Sequence, residues 1–305
     1  MRMKKNKLFI GALALLMAFT TACSSKTENT TTTSQDKDTF TYAINSDPSS
    51  TNPINVSDRW GLTMTNMIYS PLIRVEGDGS LVNELAESTE LAKDGLSLTV
   101  NLKKGIKWSD GKDFTADDVV FTYETKAKKE NGNFKSLWIN DKPITIEKKD
   151  DHTVVFKFPE PSAAAANNIA TETYIIPKHI YGKVSDFSVK DLQEKPVGTG
   201  PYKLVENKRG EYIKFEANEN YYKGKPKVKN VVLRVIQSAD TTKVALQKGE
   251  IDASYVLPTD IKDLDTNKLD VYSYSENRIG YLGLNTKTNE LKDVKVRQAI
   301  LYAIN

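Results

Sequence analysis

Val197-Gly198-Thr199-Gly200-Pro201-Tyr202 opens the stretch whose reading decides the fold. Two glycines flank a threonine, which predicts backbone angles that a Cβ resists, and Pro201 fixes the turn that follows. Tyr202 and Leu204 begin an alternating strand, and Ile213, Phe215 and Ala217 continue the pattern at period two. Asn218-Glu219-Asn220-Tyr221-Tyr222-Lys223-Gly224-Lys225-Pro226 is then a polar, aromatic connection bounded by Gly and Pro. Val231 to Ile236 closes the unit as another strand. A phosphate-cradling loop is rejected: there is no Gly-Lys-Ser/Thr and no G-x-G-x-x-G opening a helix, and Pro201 removes a donor such a cradle would need.

Working outward, Phe40 to Ile44 reads as the first strand and Asn45 to Pro53 as a polar loop. Ser57 or Asp58 can cap the next helix, in which Trp60, Met64, Met67 and Ile68 recur at helical spacing. Leu72 to Val75 with Glu76-Gly77-Asp78-Gly79 makes a hairpin-like element. Leu96, Leu98, Val100 and Leu102 alternate with polar residues as a half-buried strand. Thr115-Ala116-Asp117-Asp118 is a capping-box start, and Val119, Val120, Tyr123 and Ala127 share one face of the helix it opens. Ile144 to Lys149 and Val154 to Phe158 form a second hairpin, followed by a short helix from Ala163 to Ile169. Ala239 to Lys248 is a helix stopped by Gly249, after which Gly249-Glu250-Ile251-Asp252-Ala253 enters a strand reaching Tyr255.

Two long passages resemble one family. One is G-T-G-P-Y, a strand, and F-x-x-N-x-x-Y-x-x-G-K-P from Phe215 to Pro226. The other is L-A-E-S, then D-G-L-S-L-T-V-N-L-K-K-G-I-K-W-S-D-G-K-D-F-T-A-D-D-V-V-F-T-Y-E, with Thr89 where a tryptophan often stands. Tyr281-Leu282-Gly283-Leu284-Asn285 and Asp293-Val294-Lys295-Val296-Arg297-Gln298-Ala299-Ile300 add a further match. Together they resemble the extracellular solute-binding proteins of peptide, opine and nickel ABC transporters. The resemblance implies an α/β, periplasmic-binding-protein-like fold of two lobes with an extra small α/β domain, closing on ligand by hinge motion. It divides the chain into residues 39–270 as a first lobe, with an inserted subdomain at about 70–190, and 271–305 as the start of the second. Members are usually much longer, so the first lobe is expected nearly complete and the second mostly absent.

Composition fits a soluble body, with 39% hydrophobic and 27% charged residues. The net charge of +3 rests on Arg2, Lys4, Lys5 and Lys7; without them 39 basic face 40 acidic residues. Nucleic acid therefore has no electrostatic footprint here. Those cations precede an apolar run from Leu8 to Phe19, too short to span a bilayer, so residues 1–22 read as a signal peptide. Thr20-Thr21-Ala22-Cys23 then places small residues before the only cysteine, and Cys23 is read as the lipidated N-terminus of a bacterial lipoprotein. Residues 23–38, rich in Ser, Thr and Asn, cannot bury enough surface to offset ordering entropy and read as a tether. The body is thus expected, as a monomer, at the outer face of the cytoplasmic membrane.

Catalysis finds little footing. His152 and His179 are the two histidines, far apart in sequence, and no G-x-S-x-G or H-E-x-x-H occurs. Asp110, Asp113, Asp117 and Asp118 do not fit an EF-hand spacing, and the last two suit a helix N-terminus. No catalytic residue, metal site or cofactor is assigned. From the resemblance, the ligand-binding candidates are Ser57, Asp58, Arg59 and Trp60 in the first lobe, Trp138, and the tyrosines Tyr255 and Tyr281. It implies a peptide ligand and ABC permease and ATPase partners. A nickel, metallophore or opine ligand, or a signalling peptide, are the alternatives on the same scaffold.

Overall fold

Strand β1, Thr39–Ile44, is flanked on both sides by parallel strands. The computed structural model describes residues 38–131, 134–162, 167, 169, 173–187, 189, 195–274 and 281–304. The signal and tether readings, Cys23, and most of the helix expected from Ala163 lie outside the described residues. With β10 (Tyr202–Lys208), β11 (Tyr212–Ala217), β12 (Asn230–Val235) and β13 (Ala253–Ser254), β1 builds a five-stranded sheet in the order β10-β11-β12-β1-β13. β11 is antiparallel to both β10 and β12, and Phe40 pairs with Val231 and Ala43 with Ser254 in the parallel ladders.

Period two decides which residue faces which layer. Ile44 joins Trp60, Met64 and Ile68 of helix α1 (Arg59–Ile68) and Ile213, Phe215 and Leu233 in one core. Its neighbour Ala43 packs on the opposite face with Ile236, Ile251 and the Ala245–Leu246 side of helix α4 (Ala239–Gln247). Asp58 caps α1 by accepting from Gly61 N at 3.0 Å, and Gly249, at φ +70°, ends α4. The strand expected to reach Tyr255 is only Ala253–Ser254, paired with Tyr42 and Ala43 of β1. Asp252 extends the pairing with its side chain: Oδ2 accepts from Thr41 N at 2.7 Å.

A second, antiparallel sheet runs β4-β5-β9-β8, from Ala86–Leu91, Ser97–Leu102, Thr153–Lys157 and Thr145–Asp150 respectively. Helix α2 (Ala116–Lys126) covers it, and Leu98, Val100, Leu102, Val119, Tyr123, Val154 and Phe156 make a core of their own. Each such fully buried side chain contributes roughly 1.5–3 kcal/mol. The capping box is present: Thr115 N donates to Asp118 Oδ2 at 3.0 Å, and Thr115 Oγ1 accepts from Asp117 N. Leu96 is the exception to the expected alternation. It precedes β5, in a turn where Asp94 Oδ1 accepts its N–H at 2.9 Å, and it is exposed. Hairpins β2–β3 (Ile73–Val75, Leu81–Asn83) and β6–β7 (Trp138–Ile139, Lys142–Pro143) flank this sheet. A short helix α3 (Lys178–Tyr181) joins the first core, with the Tyr181 and Tyr69 hydroxyls 2.8 Å apart. Helices α5 (Asn289–Lys292) and α6 (Val294–Ala303) complete the described residues and contain no buried residue.

The Gly-Thr-Gly segment ties the two cores together. Gly200 N donates to Ile68 O at 2.8 Å, Ser109 N donates to Gly198 O at 2.9 Å, and Asn218 Nδ2 donates to Gly200 O at 2.8 Å. Neither glycine has a left-handed φ, contrary to the expectation from sequence. Space is what demands them: a Cβ on Gly198 would stand 1.9 Å from Ile68 O, and one on Gly200 2.6 Å from Met67 O. The aromatic connection adds a second tie. Glu84, buried at the end of β3, accepts from Tyr222 Oη at 2.6 Å and Arg74 Nε at 3.0 Å and pairs with Lys223.

Candidate ligand-binding cleft

The carboxyl ends of β12, β1 and β13 open together, and in α/β sheets ligands bind outside such strand ends. A cleft of about 560 Å³ lies there. Its walls are Ala43 to Ser46 at the end of β1, Ile236 and Gln237 after β12, Ser254 to Leu257 at the end of β13, and Asp58, Arg59 and Trp60 at the start of α1. Thr242 and Lys243 of α4 and Asp260 close one side.

Each polar wall residue is positioned by local structure. Asp58 is held by its cap bond and by Ser49, whose N and Oγ donate to Oδ2 at 3.2 and 2.5 Å. Trp60 is 9% exposed; its Nε1 donates to Asn45 Oδ1 at 2.7 Å, and its ring lies 6.2 Å from that of Tyr42. Arg59 has its guanidinium carbon 5.1 Å from the Tyr255 ring centre and 5.7 Å from that of Trp60, both within cation–π range. Burial pushes the Tyr42 hydroxyl above its ordinary range, and nearby Tyr274 adds to this, while Arg59 and a backbone hydrogen bond with Tyr255 oppose it. Lys243 is engaged by Asp240 at 3.0 Å, Asp263 at 3.1 Å and Asp260 at 4.0 Å.

Of the residues expected from sequence, Asp58, Arg59, Trp60 and Tyr255 come together on this cleft. Ser57 is exposed beside them, and Tyr281 is 89% exposed on the far side of the undescribed residues 275–280. Trp138 lies elsewhere. It lines a separate apolar hollow of about 370 Å³ with Tyr123, Leu137, Ile144 and Phe156, donates from Nε1 to Ala127 O at 2.8 Å, and has Lys129 Nζ 4.6 Å over its ring. Sequence reasoning missed Asn45, in the loop after β1 and bonded to Trp60, and Lys243 on α4, both of which line the cleft.

The four aspartates near α2 have structural partners. Asp110 Oδ2 and His179 Nε2 are 2.8 Å apart, and this contact with a backbone bond from Lys112 holds the carboxyl below its usual range against a burial effect that is its largest single influence. Asp113 pairs with Lys107 at 2.5 Å and Asp117 with Lys148 at 2.6 Å. Asp118 accepts from the N–H groups of Thr115 and Lys178 and from Trp108 Nε1 at 3.3 Å.

An α/β body with a ligand-sized cleft at its parallel strand ends has the form of a binding module. The chain belongs to the bacterial extracellular solute-binding proteins, family 5, whose middle region matches residues 80–305. That family consists of transport binding proteins, not enzymes. The chain is 35% identical over 319 residues to the oligopeptide-binding protein AppA of Bacillus subtilis, covering all of this chain and 58% of that one. The crystal structure of AppA with a nonapeptide superposes with TM-score 0.76 at 33% identity, over 87% of this chain and 53% of AppA. The substrate-binding protein CtaP of Listeria monocytogenes gives 0.77 at 36% identity, over 88% and 55%. NikZ of Campylobacter jejuni, solved with Ni(L-His), gives 0.73 at 29% identity, over 88% and 54%. The chain thus spans about half the length of the relatives it matches, and the two-lobed α/β fold class expected from sequence holds.

Proposed function

We propose that this chain is the substrate-binding part of an ABC importer that captures oligopeptides or dipeptides outside the membrane and hands them to a permease. The observation that carries the reading is the cleft itself. About 560 Å³, walled by Arg59, Trp60 and Tyr255, opens where three parallel strands end. Free backbone groups at strand ends suit a ligand held by strand-like hydrogen bonds, with aromatic walls taking its side chains. The similarity to the oligopeptide-binding AppA supports peptides over other solutes.

Ser57, Asp58, Arg59, Trp60 and Tyr255 are the ligand contacts we assign, with Tyr281 reaching the ligand from the residues that begin the second lobe. Trp138 contributes through its own hollow. Residues 39–270 act as the first lobe, with an inserted subdomain at about 70–190, and 271–305 begin the second. Lipidation of Cys23 after removal of residues 1–22 anchors the protein as a monomer to the outer face of the cytoplasmic membrane, with residues 24–38 as tether.

A second reading is supported by the likeness to NikZ: capture of a chelated metal. Among the described residues no three His, Cys, Asp or Glu side chains gather as a metal site, so this reading takes a metal that brings its own ligands. Native mass spectrometry of residues 23–305 purified from the expressing cell, followed by calorimetry with the masses found, tests both. Peptide masses support the first reading. A chelate mass replaces it with the second, and an empty protein that also ignores an added peptide library overturns both for this chain.

A further inference from the structure

We propose that Asn45 is a positioning residue of the cleft, acting through Trp60. By holding the indole through its one donor it presents the ring as a fixed, apolar wall, and the place beside that wall takes an apolar side chain of the ligand. This deepens the peptide-binding reading above and rests on it.

Asn45 is the first residue beyond β1, and the backbone just before it is held: Ile44 O accepts from Ile236 N at 2.8 Å, where the ladder to β12 ends. Its side chain is exposed and lines the cleft, so neither core depends on it. Trp60, the second residue of α1, belongs to both places. Its ring packs in the core with Ile44, Met64 and Ile68, and it also forms cleft wall. The 2.7 Å bond from Trp60 Nε1 to Asn45 Oδ1 joins the two residues. An indole N–H only donates, so the oxygen of the Asn45 amide is the atom that faces it.

That bond does what packing cannot. Burial of a ring in a core is non-directional, whereas a hydrogen bond is directional and decides where the N–H edge of the ring lies. Two consequences follow for a ligand. The wall is set before the ligand arrives, so little side-chain freedom is lost on binding. The only donor of the indole is also consumed, and Trp60 offers the ligand carbon alone. A hydroxyl or amide laid against it gives up water for no partner, while an aliphatic side chain gives up nothing.

Trileucine and triserine carry the same terminal charges, so the ratio of their affinities reads side chains and cancels any change of charge on the protein. Calorimetry on residues 23–305 compares wild type with Asn45→Ala, which removes the acceptor, and Asn45→Asp, which keeps it. The wild type is expected to bind trileucine about tenfold more tightly than triserine. Asn45→Asp should keep that ratio, and Asn45→Ala should bring it to within about twofold at an unchanged thermal midpoint. Fluorine NMR of the same proteins labelled with fluorotryptophan reads the positioning itself. In Asn45→Ala the line of Trp60, assigned through Trp60→Phe, should shift and broaden while those of Trp108 and Trp138 stay. Equal binding of the two peptides by the wild type, or a ratio and a Trp60 line that both survive in Asn45→Ala, overturns the inference and leaves peptide binding intact. Loss of the ratio in Asn45→Asp as well as Asn45→Ala makes the amide nitrogen the group that matters and overturns the positioning role. Absence of binding by both peptides overturns the peptide reading itself and this inference with it.

Discussion

The carbonyl oxygen of Ile68 stands 1.9 Å from where a Cβ on Gly198 would be, so the last turn of α1 and the chain entering β10 touch backbone to backbone. No side chain is available to yield at this contact. Gly198→Ala must therefore separate the two backbones, which breaks the Gly200 N–H bond to the same oxygen. The expected cost is about 3 kcal/mol, at the upper end for overpacking. Gly210, at φ +79° with open space around it, is the control: Gly210→Ala costs only the left-handed strain, about 1 kcal/mol. Urea denaturation of the two variants checks this. Equal midpoints would show that close approach is not why glycine stands at 198.

Glu84 makes the aromatic connection part of the fold. Its carboxylate is buried and gathers Tyr222, Lys223 and Arg74, whose pairing outweighs desolvation, the largest single influence, and holds the carboxyl below its usual range. Glu84→Gln loses charge-assisted bonds and leaves cations facing a neutral group. A loss of about 2 kcal/mol is expected, reduced from the buried limit because Arg74 and Lys223 are half exposed.

The pH profile of that loss has a fixed sign. A carboxyl whose folded pKa is depressed stabilises fully above its unfolded value, about 4.3 for Glu, and this is lost as pH falls through the lower folded value. The gap between wild type and Glu84→Gln should thus be constant near neutrality and shrink on acidification below that value. Asp118 works in the opposite sense. Burial pushes its carboxyl up despite bonds from Thr115, Lys178 and Trp108, so its ionised form carries a cost that protonation relieves. Relative to Asp118→Asn, the wild type should gain stability as pH falls through the raised value toward about 3.9, the unfolded value for Asp. Denaturant midpoints of the three proteins from pH 7 to 3 decide it. Two difference curves of the same slope would contradict the assignment.

Local structure was largely legible in the sequence because it is written in neighbours. The Thr115–Asp118 box, the Leu98-Val100-Leu102 alternation and the Asp58 cap each need only a few consecutive residues. Gly198 and Gly200 were correctly singled out, but for their dihedrals, since sequence does not reveal that Ile68 lies against them. The cleft was half legible for the same reason. Asp58 to Trp60 are contiguous and Tyr255 was named from the family resemblance, whereas Asn45 and Lys243 were not: one sits in the loop after β1, bonded to Trp60, and the other on α4, far along the chain from Trp60. Trp138 illustrates the converse. Its family-like position said nothing of the hollow in which its ring is held by Ala127 O and Lys129.

Four aromatics with different burial separate ligand effects from folding effects. Trp108 is fully buried among Phe114 and the core under α2, so Trp108→Ala should cost about 4 kcal/mol and lower binding only by unfolding the protein. Tyr255 is 39% exposed over Arg59, so Tyr255→Ala should cost under about 1 kcal/mol of stability and weaken peptide binding about tenfold. Trp60 lies between them, 9% exposed in the first core and on the cleft wall, and its alanine variant should lose both. Trp138→Ala should lose stability by removing a packed ring and its bond to Ala127, and alter affinity less than Tyr255→Ala, because its hollow is separate from the cleft. Thermal unfolding beside calorimetry with a bound peptide gives each variant two coordinates. If Tyr255→Ala leaves affinity unchanged while Trp138→Ala abolishes it in a folded protein, the ligand lies at the other hollow and the cleft assignment is wrong.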